Sequence, residues 1–156
     1  MKYSLVVFDL DFTLWNAAGT WCDQTLPPYR KVNNHIQDSE NNIITLYPDT
    51  RSLLTELSAK YLLGVASRTY EPDWALELMN LFDIKRYFHY AEIYPGSKTE
   101  HFYQLKNKSG IPFKEMIFFD DEQRNVEDVR RLDATAILVE KGVSRELVRK
   151  SLEIII

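Results

Sequence analysis

Four short apolar runs alternate with segments of helical spacing, and this alternation limits the possible folds more than any other feature. The runs cover residues 4–8, 62–66, 116–119 and 134–139. Between them, apolar residues recur at helical spacing, for example at Leu53, Leu54 and Leu57. Strands that are apolar throughout and alternate with helices are typical of parallel sheets covered on both faces. We therefore predict an α/β fold of three layers with a central parallel sheet.

The ends of several predicted helices carry recognisable capping residues. Ser97 followed by Glu100 has the form of a capping box, and Gly110 is a suitable stop for the same helix. Ser144 is expected to cap a last helix, whose end we expect the "EIII" sequence at 153–156 to bury. Further helices are predicted around Trp74, with Leu78 and Leu81, and around Val126, with Val129 and Leu132.

The interval after the first strand does not follow this alternation. Two semi-apolar arms flank a polar turn at 38–42, within "VNNHIQDSENNIITLYP". We predict a small β-hairpin insertion spanning roughly 16–47, with a long loop as the alternative. The rest of the chain shows no repeat or linker, so we expect one domain over residues 1–156.

Composition excludes some functional classes. The net charge of −4 and the pI near 5.4 argue against nucleic-acid binding driven by phosphate attraction. The apolar N-terminal run is too short for a signal peptide or a membrane span. The single cysteine, Cys22, suits a reducing compartment and is expected to pack in a loop. We expect a cytoplasmic monomer that binds neither nucleic acid nor membranes.

Polar residues follow each apolar run where a parallel sheet places its ligands, at the carboxyl ends of the strands. The first strand leads into Asp9 and Asp11, a costly placement for two carboxylates unless they are paired or bind metal. The other polar residues expected at this edge are Thr13, Ser67, Arg68, Thr69, Lys98, Asp120, Asp121 and Asn125.

The charges at this edge predict a bound cation. Four carboxylates at close range repel one another, and Arg68 and Lys98 together could not balance them and also attract an anionic substrate. An all-oxygen ligand set suits Mg²⁺. The three histidines are scattered along the chain, so zinc is not indicated, and we assign them to packing or to the surface.

This residue set predicts phosphoryl transfer through a covalent intermediate. Asp9 could attack phosphorus, and Asp11 could protonate the leaving group and later activate water. Ser67 and the N–H groups after it could bind phosphoryl oxygens, with Lys98 neutralising developing charge. Mg²⁺ would be held by Asp9 and Asp121.

Several motifs are similar to those of a known family. "DLDFT", "ASRT", "GSK" and "FFDDEQRN" resemble the four motifs of the haloacid dehalogenase superfamily. Together with "LYP", "LFDI", "EIYPGSK" and "HF", they resemble the small magnesium-dependent, acid phosphatase-like members of that superfamily. The likeness runs from residue 3 to about residue 152.

The resemblance implies a Rossmann-like core with a minimal cap, Mg²⁺ dependence and phosphomonoester hydrolysis. It assigns Asp9 as nucleophile, Asp11 as acid and base, and Ser67 and Lys98 to the phosphate. Asp121 would be the direct metal ligand together with the carbonyl of Asp11, leaving Asp120 as a partner of Lys98. Phosphotyrosine and small sugar phosphates are the substrate classes that the family suggests.

The region 16–45 departs most from the family, which bears on specificity. Trp15, Trp21 and Tyr29 could form an aromatic wall for a ring-bearing leaving group, or could simply pack beneath the hairpin. Two alternative functions remain at this stage. One is a phosphotransferase or carrier-loading domain on the same scaffold, and the other is a non-catalytic Mg²⁺-binding interaction module. A receiver-like signalling module is not indicated. In that class the adjacent acidic pair ends the first strand, whereas here the first strand leads into the spaced pair and the adjacent pair comes late in the chain.

Overall fold

The computed structural model describes residues 2–153, and the predicted burial of "EIII" falls largely outside this range. It contains nine strands and five α-helices; the first five strands precede the first α-helix, and strands and helices alternate from there on. The strands are β1 Leu5–Phe8, β2 Trp15–Ala17, β3 Arg30–Val32, β4 His35–Gln37, β5 Ile43–Leu46, β6 Leu62–Ser67, β7 Tyr90–Ile93, β8 Met116–Asp120 and β9 Thr135–Leu138. The helices are α1 Thr50–Ser58, α2 Pro72–Leu81, α3 Lys98–Ser109, α4 Gln123–Arg130 and α5 Arg145–Glu153.

The central sheet has the order β7-β6-β1-β8-β9, and every pairing in it is parallel. The first strand lies in the middle, with Phe8 aligned to Val65 on one side and to Phe119 on the other. The carboxyl ends of β1, β6 and β8 therefore meet at one edge. The sequence predicted four of the five strands and did not predict β7, whose half-exposed edge position gives it no continuous apolar run.

Alternate residues of β1 face two separate cores, which confirms the three-layer α/β prediction. Val6 and Phe8 pack in the core that also holds side chains of α1, α2 and α5. Leu5 and Val7 pack in the other core, with side chains of α3 and α4. Because both faces of the strand are buried, an apolar residue is required at each position.

The insertion after β1 contains more strands than the predicted hairpin. Strands β4 and β5 pair antiparallel around the polar turn at 38–42, as predicted, and β2 and β3 extend them to a sheet of order β2-β5-β4-β3. The Asp38 carboxylate closes the turn by accepting hydrogen bonds from the N–H groups of Leu26, Glu40 and Asn42. The two further strands have three residues each, too few for a period-2 pattern to be recognised.

The capping residues behave largely as the sequence indicates. The Ser97 hydroxyl accepts the N–H of Glu100, and Gly110 ends α3 with φ +73°, the left-handed conformation that glycine favours. The Ser144 hydroxyl accepts the N–H of Leu147 at the start of α5. Helix α4 ends at Arg130, so Leu132 lies just beyond it. Among residues 2–153, no helix combines the length and apolar character needed to cross a bilayer.

Candidate active site

A tight turn after β1 directs its carboxylates toward the edge of the sheet. The carbonyl of Leu10 accepts hydrogen bonds from the N–H groups of Thr13, Leu14 and Trp15 at 2.8–3.3 Å. Phe12 has φ +62°, a left-handed conformation that is uncommon for a large side chain. This turn leaves the side chains of Asp9 and Asp11 buried, at 9% and 7% relative exposure.

Lys98 lies at the centre of the carboxylates and is itself fully buried. Its Nζ donates to Oδ1 of Asp9 at 3.1 Å, to Oδ2 of Asp120 at 2.8 Å and to the carbonyl of Ala66 at 2.7 Å. These three acceptors match the three protons of an ammonium group. A lysine at the first position of α3 thus reaches the ends of β1, β6 and β8 together.

Burial and charge shift the pKa values of this cluster strongly. Burial raises the pKa of Asp9 well above its usual value, and Asp120 adds to the effect while Lys98 opposes it. Burial alone would lower the pKa of Lys98, but its carboxylate partners reverse that effect and raise it. Lys98 therefore stays charged, and positive charge beside Asp9 favours the ionised form of that carboxylate.

The two adjacent aspartates after β8 have different surroundings. Asp120 is fully buried, and its oxygens accept hydrogen bonds from Lys98, from Asn125 Nδ2 at 3.1 Å and from the N–H of Glu122 at 2.9 Å. Asp121 is less buried and lines the cavity. Burial raises the pKa of Asp121 to about 6. The environment of Asp120 suits a supporting partner of Lys98, whereas Asp121 has an open side toward solvent.

The acidic residues fit a divalent cation. One carboxylate oxygen from each of Asp9, Asp120 and Asp121 lies within 4.8 Å of the others. Within residues 2–153, the carbonyl of Asp11 accepts no hydrogen bond, so it is available as a further oxygen ligand. Oxygen donors alone, with room for water, are the set that Mg²⁺ prefers. Burial raises the pKa values of Asp9 and Asp121, and the nearby charge of Asp120 adds to both effects, so a cation at this position would favour the ionised carboxylates.

Asp11 is held apart from that cluster by two hydrogen bonds to one of its oxygens. Oδ1 accepts from Trp15 Nε1 at 2.7 Å and from the N–H of Cys22 at 3.0 Å. Burial raises the pKa of Asp11 to about 6, although both hydrogen bonds act in the opposite direction. A carboxyl group with this pKa can exchange a proton near neutral pH, which suits a general acid and base.

The segment after β6 forms a turn whose polar atoms face the same cavity. Ser67 Oγ accepts the N–H of Thr69 at 3.3 Å, and Thr69 Oγ1 accepts the N–H of Glu71 at 3.2 Å. Arg68 Nη1 donates to Oδ1 of Asn125 at 3.0 Å, so Asn125 orients both Arg68 and Asp120. Thr13 is fully buried and donates to Asp9 Oδ2 at 3.3 Å. The structure thus brings together every site residue that the sequence indicated.

A cavity of about 300 Å³ opens above these residues. Its lining includes residues that the sequence analysis did not select, namely Asp23, Gln24, Tyr70, Gly96, Glu122 and Arg124. Trp21 and Tyr70 stand at the cavity with 51% and 77% of their surface exposed. The only sequence signal for Tyr70 was its position directly after Thr69, one of the polar residues expected at this edge.

Of the three aromatic residues suggested as a wall, only Trp21 lines the cavity. Trp15 is fully buried and bonded to Asp11, and Tyr29 is buried with its hydroxyl 2.7 Å from that of Thr25. For these two residues the packing alternative is correct. Cys22 is also buried as expected, with its Sγ 3.6 Å from Thr69 Oγ1, and burial raises the pKa of its thiol.

Comparison with protein families finds a match over nearly the whole chain. The family model described as Acid Phosphatase matches residues 2–155. The human protein named Magnesium-dependent phosphatase 1 is 43% identical over 152 residues, which cover 96% of this chain and 85% of the human protein. A HAD-like hydrolase superfamily protein of Schizosaccharomyces pombe is 40% identical over 144 residues, covering 83% of this chain and 81% of the yeast protein.

Solved structures share the fold at lower sequence identity. A haloacid dehalogenase-like family hydrolase of Streptococcus pneumoniae aligns with a TM-score of 0.69 at 17% identity, covering 99% of this chain and 97% of the other. A haloacid dehalogenase family enzyme of Bacteroides thetaiotaomicron, solved with magnesium and inorganic phosphate, aligns with a TM-score of 0.69 at 16% identity, covering 94% of this chain and 98% of the other. At these identities the likeness concerns the fold.

Proposed function

Because this chain belongs to the acid phosphatase family of small magnesium-dependent phosphatases in the haloacid dehalogenase superfamily, we propose that it hydrolyses phosphomonoesters through an aspartyl-phosphate on Asp9. Family membership confirms the resemblance of the motifs. The observation that carries the mechanism is the contact of Lys98 with Asp9 and Asp120 beside an Asp11 of raised pKa. One carboxylate is thereby set up as a nucleophile and another as an acid.

In the first step, a carboxylate oxygen of Asp9 attacks phosphorus and the bond from phosphorus to the leaving oxygen breaks. Protonated Asp11 gives its proton to that oxygen, and the alcohol departs. Ser67 Oγ and the N–H groups of the following turn bind the phosphoryl oxygens. Lys98 offsets negative charge that builds up beside Asp9.

In the second step, water attacks the phosphorus of the aspartyl-phosphate. Asp11, now ionised, takes a proton from that water, and the phosphorus–oxygen bond to Asp9 breaks. Inorganic phosphate and the Asp9 carboxylate are released, and Asp11 is protonated again for the next cycle. The same group serves as acid and base because its pKa of about 6 lies close to neutral pH.

Asp9, Asp121 and the carbonyl of Asp11 are the groups that would hold Mg²⁺. When bound, the ion supplies positive charge that keeps Asp9 ionised and offsets charge on the phosphoryl oxygens. Asp120 keeps Lys98 charged and in place, and Asn125 holds Asp120 in turn. Thr13 supports Asp9 from the other side.

The cavity rim supports an aromatic leaving group of the phosphotyrosine type. Trp21 and Tyr70 present exposed rings beside the cavity, and an aromatic ring of a substrate could pack against them. Small sugar phosphates are the second candidate class, since Asp23, Gln24 and Arg124 offer hydrogen-bond partners for hydroxyl groups at the same rim.

Hydrolysis is favoured over the two alternative functions. A phosphotransferase or carrier-loading domain would need an acceptor other than water, and a non-catalytic Mg²⁺-binding module would not require Asp11 to have a pKa near 6. The non-catalytic module is an outcome of the test below.

The test is hydrolysis of p-nitrophenyl phosphate by the wild type and by Asp9→Asn, with Mg²⁺ and with EDTA. We expect metal-dependent turnover by the wild type and none by Asp9→Asn, because an amide is a poor nucleophile. Near-wild-type turnover by Asp9→Asn would refute the role of Asp9. Failure of the wild type to turn over while it binds Mg²⁺ would favour a non-catalytic module.

A further inference from the structure

His101 is a buried residue that the proposed mechanism does not use, and it contacts main-chain groups next to the site residues. Its ring is fully buried, and both ring nitrogens face main-chain carbonyl oxygens. Nδ1 lies 2.7 Å from the oxygen of Ser97, and Nε2 lies 2.9 Å from that of Ser67 and 2.8 Å from that of Tyr94. One side chain therefore joins the end of β6, the loop after β7 and the start of α3.

We propose that His101 is a positioning residue that fixes the phosphate-binding turn after Ser67 and the start of the helix that carries Lys98. This inference rests on the proposed function, because it names a further residue on which phosphate binding at that site depends. His101 touches neither substrate nor the carboxylates, so it acts through main-chain groups alone.

The contact with Ser67 sets the direction of a peptide group at the site. The carbonyl oxygen of Ser67 is held by His101 Nε2 and by the N–H of Tyr94, which donates to it at 3.1 Å. Because the peptide unit is planar and trans, the N–H of Arg68 points to the opposite side from that oxygen. Within residues 2–153 this N–H has no hydrogen-bond acceptor, and Arg68 lines the cavity. A phosphoryl oxygen would supply the missing acceptor.

The second ring nitrogen fixes the other side of the phosphate site. The oxygen of Ser97 belongs to the N-cap of α3, one residue before Lys98. Lys98 Nζ must reach the acceptors on β1, β6 and β8 from this point, so a shift of the helix start would move all three contacts. His101 thus ties the lysine and the turn to a common support.

The ring is itself oriented by stacking. The rings of Tyr94 and His101 are stacked, with centroids 4.4 Å apart and planes 8° from parallel. The Tyr94 hydroxyl donates to Glu92 Oε1 at 2.9 Å, and Glu92 Oε2 pairs with Lys108 at 2.8 Å. A planar ring with polar atoms at opposite edges suits this position, which explains why histidine is found here.

Burial lowers the pKa of His101 and the charge of Lys98 acts in the same direction, whereas the carbonyl oxygens of Ser97, Tyr94 and Ser67 favour the protonated ring. A ring nitrogen donates to a carbonyl oxygen only when it carries a proton, so the doubly protonated ring makes hydrogen bonds from both nitrogens and the neutral ring makes them from one. A side chain with a donor at one end only should therefore retain part of the effect. Glutamine is such a side chain, and phenylalanine keeps the stacked ring without any donor.

The experiment compares His101→Phe and His101→Gln with the wild type and with Leu105→Ala, a destabilising core variant one turn along the same helix. The readouts are the Kd of inorganic phosphate in the presence of Mg²⁺, measured by calorimetry, the melting temperature, and kcat and KM for an aryl phosphate. Loss of a hydrogen bond worth about 1 kcal/mol corresponds to roughly a fivefold change in binding.

We expect His101→Phe to raise the phosphate Kd and the KM at least about fivefold, with His101→Gln intermediate and Leu105→Ala unchanged in Kd. An unchanged Kd in His101→Phe would overturn the inference, and so would an equal loss of affinity in Leu105→Ala. If His101→Phe does not fold, the Kd of His101→Gln decides. A wild type that binds phosphate but hydrolyses no ester would refute the proposed function, and the binding comparison would still decide this inference.

Discussion

The indole N–H of Trp15 donates a 2.7 Å hydrogen bond to Oδ1 of Asp11, and both residues are buried. The N–H of Cys22 donates to the same oxygen, so neither of these two donors is bonded to Oδ2. The proton of the neutral acid is therefore expected on Oδ2, on the side of the cavity that Asp11 lines. A tryptophan four residues after the carboxylate thus orients the proposed acid and stabilises its ionised form.

Replacing Trp15 by Phe should move the pH dependence of catalysis. The lost hydrogen bond lowers the pKa of Asp11 in the wild type, so Trp15→Phe raises it from about 6. Since Asp11 must be protonated to release an alkyl leaving group, kcat/KM for an alkyl phosphate falls as the pH rises through this pKa. We expect the pH at which kcat/KM for the alkyl phosphate falls to half its maximum to rise by about one unit in Trp15→Phe. An unchanged pH of half-maximal kcat/KM in Trp15→Phe would show that Asp11 is not the titrating acid.

Lys98→Met should destabilise the protein in a pH-dependent way. Removing one partner of a buried ion pair costs about 3–5 kcal/mol, because the remaining carboxylates lose their compensation. The pKa of Lys98 is raised above 10.5, so Lys98 is charged at both pH values. In the wild type its ion pairs therefore contribute fully to the free energy of unfolding at pH 5 and at pH 7. In the variant, protonation of Asp9 relieves the repulsion, so the loss should be smaller at pH 5 than at pH 7.

Urea unfolding at the two pH values measures this difference. Lys106→Met is the matched control, since Lys106 is exposed on the same helix and its ammonium group lies over the ring of Phe113. It should change the free energy of unfolding by no more than about 1 kcal/mol at either pH. Equal losses for Lys98→Met at pH 5 and pH 7 would contradict the charge argument.

Asp121→Ala should weaken the metal site without weakening the fold. The Mg²⁺ concentration that gives half-maximal activity is expected to rise at least about tenfold. In EDTA the variant should melt no lower than the wild type, because burial raises the pKa of Asp121 to about 6 and its charge is therefore unfavourable in the folded protein. Asp120→Ala should melt at a lower temperature, since it leaves Lys98 without its closest carboxylate. An unchanged Mg²⁺ titration in Asp121→Ala would make Asp120 the ligand.

Trp21→Ala should raise the KM for aryl phosphates more than the KM for alkyl phosphates. If the exposed ring packs against an aromatic leaving group, its loss should cost about 1 kcal/mol, or roughly fivefold in KM, for aryl phosphates. The KM for an alkyl phosphate should change little. Tyr103→Ala is the control, because Tyr103 is 49% exposed on α3 and is not among the residues that line the cavity. Equal KM changes for both substrates in Trp21→Ala would reject the aromatic contact.

Much of the fold could be predicted because its central strands are buried on both faces. Each residue of β1 is fully buried, and so is nearly every residue of β6 and β8, which leaves continuous apolar runs in the sequence. Strand β7 could not be recognised because it is an edge strand with half its residues exposed or partly exposed. The short strands β2 and β3 depend on pairing across the insertion, which local patterns do not encode.

The residues at the end of the central strands could be selected because their chemistry is unusual after apolar runs. Asp9, Lys98 and Asp120 are in contact as their positions suggested. The rim could not be predicted, since Tyr70 comes near Trp21 only through the fold. Nor did the sequence show that Trp15 binds Asp11 rather than facing the substrate, because both arrangements require an aromatic residue near the first motif.

The most direct test of the proposed mechanism is rapid-quench trapping of the phosphorylated enzyme in the Asp11→Asn variant. This variant cannot activate water, so an aspartyl-phosphate formed from a radiolabelled aryl phosphate should accumulate. We predict close to one label per chain, located in the peptide that contains Asp9 and absent from the Asp9→Asn, Asp11→Asn double variant. Continued phosphate release with no label bound to the protein at any time would contradict a covalent intermediate on Asp9.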